Sequence, residues 1–303
     1  MSPSRSSSNL RSIVAMLVAV GFFALMDAVL KTLAARYPVM QIAALRGLTC
    51  LPLVLAWITW NGAWGRIKPA RWSLHLLRGA LSVAMLSLFT LGVRDLPLSA
   101  AYTLFFVAPL LITVLSVPVL GERVPWVHWV AVAVGFAGVL VALRPSGQDL
   151  QAGLVTAGGL AVLGAALCYA ISAVVGRLAS RTDSSEGMVL WMTLLLSLAA
   201  TTLAAPHWQA IARADLPLLL ALAITGFGGQ LAITEAFRHG QASAVAPFEY
   251  SALAWGVMLD WFIWQALPEA HTWLGAAIII GSGLWLVRHE QRITEAHANP
   301  DRV

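Results

Sequence analysis

The sequence predicts an all-α integral membrane protein of ten transmembrane helices, arranged as two inverted five-helix repeats with both termini cytoplasmic. Three observations carry that expectation: the composition, ten apolar runs of spanning length, and a weak self-similarity between the two halves. Of 303 residues, 59% are hydrophobic and 11% charged, with a mean hydropathy of +0.79. Soluble domains hold about 45–50% apolar and about 25% charged residues, and water cannot solvate so apolar a chain. Lipid is therefore the solvent for most of it.

A helix that crosses the bilayer needs about 20 mostly apolar residues. Such runs fall at 12–33, 39–60, 72–93, 98–120 and 126–143, and again at 153–175, 188–205, 216–237, 243–264 and 272–287. Pro38, Gly62, Asp95, Glu122, Pro145, Asp183, Pro206, Gly240 and Pro268 mark the breaks between them. Period-2 alternation is absent, so helices are expected rather than a barrel. The first run follows Arg5 and Arg11 as a signal peptide would, but its length and the charges Asp27 and Lys31 within it point to a spanning helix.

Lys and Arg set the orientation. With the N-terminus inside, Arg66, Lys68, Arg71, Arg123, Arg177, Arg181, Arg238, Arg288 and Arg292 join Arg5, Arg11 and Arg302 in the cytoplasm, whereas Arg36, Arg94, Arg144 and Arg213 lie outside. At an offset of 144 residues, Arg94 falls on Arg238, Ser99 on Ser243, Trp129 on Trp273 and Ala133 on Ala277. Five spans per half force the second half to enter the membrane inverted, which is a common carrier construction. The organisation expected is a first repeat over 12–143, a second over 153–287, and a loosely ordered cytoplasmic tail over 288–303.

The same residues narrow the function. The net charge of +5 is spread singly over loops, not gathered on a nucleic-acid face. Cys50 and Cys168 lie in apolar runs, and no Cys/His spacing suits a metal. No His-Glu-x-x-His, Gly-x-Ser-x-Gly or Walker lysine motif is present. The expectation is a carrier in contact with lipid and a small-molecule substrate, monomeric or weakly dimeric, with no cofactor, metal or nucleic acid.

Four stretches, 24–31, 97–123, 134–145 and 243–262, resemble the EamA-type ten-helix branch of the drug/metabolite transporter superfamily. The markers are Ala108-Pro109-Leu110, Leu120-Gly121-Glu122-Arg123, Gly135-Phe136-Ala137-Gly138 and Ala246-Pro247-Phe248-Glu249-Tyr250. The resemblance implies a location in the bacterial inner membrane and alternating access. It also implies export of aromatic and other neutral amino acids, with riboflavin or S-adenosylmethionine uptake as the alternative. The family often repeats Gly-Glu after the ninth helix, where this chain has Gln265-Ala266.

Charges inside spans cost roughly 2.5–3.5 kcal/mol each on insertion scales, so each asks for a reason. Asp27, Lys31, Arg46 and Asp260 fall in the outer half of the bilayer; Arg78, Glu235 and Glu249 fall in the inner half. Asp27 and Lys31 either neutralise each other four residues apart or serve transport. Arg46 and Arg78 could grip a carboxylate by two bonds, and Arg78 could instead pair with Glu235 or Glu249. Glu235 also reads as a helix-end partner of Arg238. Tyr102, Tyr169 and Trp255 are the aromatic candidates for a cavity wall, most other tryptophans being interfacial anchors. In the eighth run Gly226, Gly228 and Gly229 stand beside Gln230, which needs a polar partner at mid-depth. These glycines and Pro247 are the candidate hinges. For the orientation, a lone cysteine at Ser146 should react with an impermeant outside reagent and one at Ser184 should not; the reverse pattern overturns it.

Overall fold

Of the ten runs, eight form continuous helices in the computed structural model, which describes residues 5–34, 36–95, 102, 104–143, 156–264 and 270–298. The first half holds α1 (Arg5–Ala34), α2 (Val39–Trp60), α3 (Trp72–Asp95), α4 (Ala108–Leu120) and α5 (Trp126–Leu143). The second holds α6 (Ala157–Ala179), α7 (Ser185–Ala204), α8 (Leu216–His239), α9 (Ser251–Trp264) and α10 (Ala270–Ala298). Among the described residues, seven of these helices are long and apolar enough to cross a membrane.

Local chemistry sets several boundaries. The hydroxyl of Thr156 accepts from the Gly159 N–H at 3.2 Å to open α6, and Ser184 does the same for Gly187 at 3.1 Å to open α7. Gly121 stops α4 at φ 67°, a left-handed conformation natural to glycine. The Glu122 N–H then turns back to the Ser116 carbonyl at 3.3 Å.

The structure departs from the expected spans in three places. The run 98–120 is not one helix: residues 104–105 are helical, Phe106 and Val107 form a turn, and α4 begins at Ala108. The start of that run, 98–101, lies outside the described residues. The run 243–264 is broken as well, into a one-turn helix (Ala242–Val245), a 3-10 stretch (Ala246–Tyr250) and α9. At 13 and 14 residues, α4 and α9 rise only about 20 Å, short of a hydrocarbon core of about 30 Å. Pro109 and Pro247 stand at the two breaks, where a missing N–H and a bulky ring prevent helical continuation. At the 144 offset Phe106 and Val107 fall on Tyr250 and Ser251, so the interruptions are repeat-related. The third departure is the tail. Rather than loosening after Val287, α10 runs on to Ala298, through Arg, Glu, Gln and Ala residues of high helix propensity.

Packing carries the repeat further than sequence does. The most extensive helix pairs are α1 with α8, α3 with α6, α5 with α10, and α2 with α7. Exchanging the halves turns the α1–α8 pair into α6–α3 and leaves the other two unchanged. Glycines bring these helices close. Phe22 and Phe23 of α1 sit on Gly228 and Gly229 of α8, where an added Cβ would come within 2.9 and 2.6 Å of the rings. A Cβ on Gly275 of α10 would lie 2.5 Å from the Gly138 carbonyl oxygen and 2.6 Å from the Ala142 nitrogen of α5, both backbone atoms that cannot rotate away. Gly256 in α9, by contrast, has nothing within 4 Å of an added Cβ. Gly275→Ala should therefore lower the melting temperature in detergent. Gly256→Ala should hold or raise it, since alanine gains about 1 kcal/mol over glycine in a helix; equal shifts would contradict the close α5–α10 contact.

Candidate substrate pathway

Three of the charged candidates fall in two places, one beside the α1–α8 pair and one on the α3–α6 pair that replaces it when the halves are exchanged. In the first, Arg46 of α2 lies within electrostatic reach of Asp27 of α1 and stacks 5.6 Å above the Phe23 ring. It lines a small cleft of about 20 Å³, together with Cys50 of α2, Met192 and Thr193 of α7, and Gly226 and Gln230 of α8. Gly226 has no side chain to hold Arg46 off: an added Cβ would lie 3.9 Å from Arg46 Cγ. Asp27 is densely surrounded by protein yet accessible at its surface. In the second place, Arg78 of α3 lies over Gly176 of α6, with its guanidinium 3.3 Å from where a Cβ would stand. Arg46 and Arg78 of the first half thus each lie against a glycine of the second.

Arg78 is the outlier. It is 8% exposed, and its Nε and Nη1 have no hydrogen-bond acceptor. Neither expected partner reaches it. Glu235 instead accepts from Ser185 and bonds His239 at 2.9 Å, while Arg238 donates to Ser185 at 2.7 Å. The expected Glu235–Arg238 link therefore runs through a serine. Glu249 accepts from the Tyr169 hydroxyl at 3.2 Å. A buried guanidinium unpaired among the described residues is costly.

Tyr169 continues into a set of rings: Phe105 at 5.8 Å, Phe89 at 5.4 Å from Phe105, and Tyr102 at 5.9 Å from Phe89. Trp255, half-buried, packs across α1 on Gly21, 3.1 Å from an added Cβ. α8 is helical without interruption from Leu216 to His239, and its Gly228 and Gly229 seat phenylalanines. Pro247 does stand at a break, buried between the one-turn helix and α9. The side chains of Lys31 and Asp260 lie outside the described residues.

Three polar ties escaped sequence reasoning. Where α4 meets α5, the Glu122 carboxylate accepts from the Ala242 and Ser243 N–H groups at 3.0 and 3.3 Å, with Arg177 Nε 3.8 Å away. Arg177 also donates to the carbonyls of Phe237 and Arg238, and Arg181 to that of Leu120. This joins the ends of α4, α6 and α8 to the start of the broken span. On the same face Asp183 bonds His75 at 2.6 Å and the Ala70 N–H at 2.9 Å. On the opposite face Asp215 accepts from Arg36 and Tyr37, and Gln41 exchanges two bonds with the Gln209 backbone. The Leu120-Gly121-Glu122 motif was the one local signal for any of these; the partners are 55 to 179 residues apart in sequence.

Models of the EamA-like transporter family match residues 10–144 and 156–288, nearly all of both halves. The chain belongs to the EamA-like transporter family. It is accordingly a multi-pass membrane transporter and not an enzyme. An S-adenosylmethionine uptake transporter of Rickettsia conorii is 26% identical over 88% of this chain and 88% of its own. A riboflavin transporter of Vibrio cholerae is 28% identical over 94% and 95%. A pseudopaline exporter of Pseudomonas aeruginosa is 26% identical over 92% and 97%. A solved crystal structure superposes with a TM-score of 0.77 over 95% of this chain and all of the other, at 18% identity, which shows the fold alone. These relatives move metabolites other than aromatic amino acids, so the expected likeness to an amino-acid exporter gives way to the metabolite alternative. For this EamA-like chain, Glu122→Ala should cost about 1–2 kcal/mol by uncapping the one-turn helix, read as a lower melting temperature in detergent. An unchanged melting curve would show that the tie carries no stability.

Proposed function

We propose that the protein carries a small carboxylate-bearing metabolite across the bacterial inner membrane by alternating access, with S-adenosylmethionine the leading candidate. The observation that carries this reading is the unpartnered, buried guanidinium of Arg78, suited to hold a carboxylate by two bonds. Support comes from the Rickettsia relatives' names and from the chemistry of S-adenosylmethionine, which bears a carboxylate. The two halves, inverted about an axis in the membrane plane and with both termini cytoplasmic, rock against each other. Arg46 with Asp27 and Gln230 attends one mouth and Arg78 the other, while Pro247 lets the broken ninth span pivot.

Proteoliposomes offered labelled S-adenosylmethionine, riboflavin and a panel of amino acids test the cargo. Arg78 tests the mechanism. Half of a buried ion pair would cost about 3–5 kcal/mol to remove; an unpaired buried charge replaced by a hydrophobe of similar volume should cost nothing. Arg78→Met is therefore expected to melt at or above the wild type and to lose transport. Arg78→Lys keeps charge without the planar fork and should transport at least about tenfold more slowly, the worth of one charge-assisted bond. Wild-type flux in Arg78→Met would sink the proposal.

A further inference from the structure

Two isolated charges of opposite sign face one helix. Glu249 is 9% exposed, and among the described residues its polar side-chain partner is Tyr169 alone. Arg78, 8% exposed, has no anion bonded to it among the described residues. Tyr169 and Gly176, the residues of α6 against which they lie, are seven apart. They therefore share a face, two turns and about 10 Å from each other. The ring set of Phe105, Phe89 and Tyr102 adjoins the Tyr169 end. Both interrupted segments, 104–107 and 246–250, meet there as well. Repeat-related breaks in apolar helices are where carriers of inverted-repeat build place their cargo.

Resting on the carrier reading above, we propose that the cargo spans these two charges, its carboxylate on Arg78 and a cationic centre held by Glu249 and the neighbouring rings. Each protein charge is expensive without a counter-ion, and a cargo carrying both signs neutralises both at once. Aromatic faces add attraction for the cation. An α-amino acid carries both charges on one carbon and so satisfies one end only. A cargo with a second cationic centre several bonds from its carboxylate, such as the sulfonium of S-adenosylmethionine, reaches towards both. The site selects by charge separation rather than by size.

The test is equilibrium binding of labelled S-adenosylmethionine to the purified full chain, competed by two analogues. S-adenosylhomocysteine lacks the sulfonium charge; decarboxylated S-adenosylmethionine lacks the carboxylate. The wild type should prefer the parent at least about tenfold over each, the worth of one charge-assisted contact. Glu249→Gln should erase the preference over S-adenosylhomocysteine and keep the other. Arg78→Gln should do the converse. If Glu249→Gln weakens parent and S-adenosylhomocysteine by the same factor, the cation subsite is wrong while Arg78 as anchor stands. If Glu249→Gln keeps both preferences but removes the dependence of flux on a pH gradient, Glu249 carries protons and the proposal falls. A wild-type protein that binds no S-adenosylmethionine ends the carrier reading for this cargo, and this inference with it.

Discussion

Backbone that leaves the helical ladder cannot face lipid, because no water is there to satisfy its N–H and C=O groups. The chain has such backbone at two repeat-related places, and the rest of the architecture follows from having to cover them. Every residue from Ala242 to Tyr250 is buried. That stretch is enclosed by α1, α4, α5 and α10, and its first donors are taken by the Glu122 carboxylate. The close α5–α10 and α1–α8 contacts, with backbone or rings against glycine, are what close the protein around it.

The same exclusion of water makes polar side chains inside the bundle legible. Each either meets a partner or marks a place for one. Asp183 and Asp215 are nearly inaccessible and fully engaged by neighbours from the other half of the chain; they are structural. Arg78 is as buried and unmatched. The contrast, drawn within one protein, separates a charge that holds the fold together from one kept available at a cost in stability.

The spans were legible in the sequence because hydropathy over twenty residues is a bulk property, and punctuation by Pro, Gly and charge limits each run. The breaks within the fourth and ninth runs were not. Ala, Val, Leu and Phe are equally apolar in a helix, a turn or a 3-10 stretch, so residues 98–120 and 243–264 read as unbroken. Charged residues within spans were found because they are expensive. Their partners were not found, since pairing such as His75 with Asp183 depends on the α3–α6 arrangement and leaves no local pattern. The glycines of α8 fit close packing as well as bending, and the rings of Phe22 and Phe23 that fill the space over Gly228 and Gly229 come from α1, which no local pattern announces.

The ties around α2 and α7 have a mechanical consequence. On one face Gln41 and the Arg36–Tyr37 turn are fastened to residues 209–215. On the other, Arg66, Ile67 and Ala70 are fastened to Asp183, Ser184 and Trp191. On that second face Glu122 adds a further tie, from the end of α4 to the start of the broken span. Two long helices pinned together at top and bottom behave as an axle: bodies joined along that line can turn about it but cannot slide or part there.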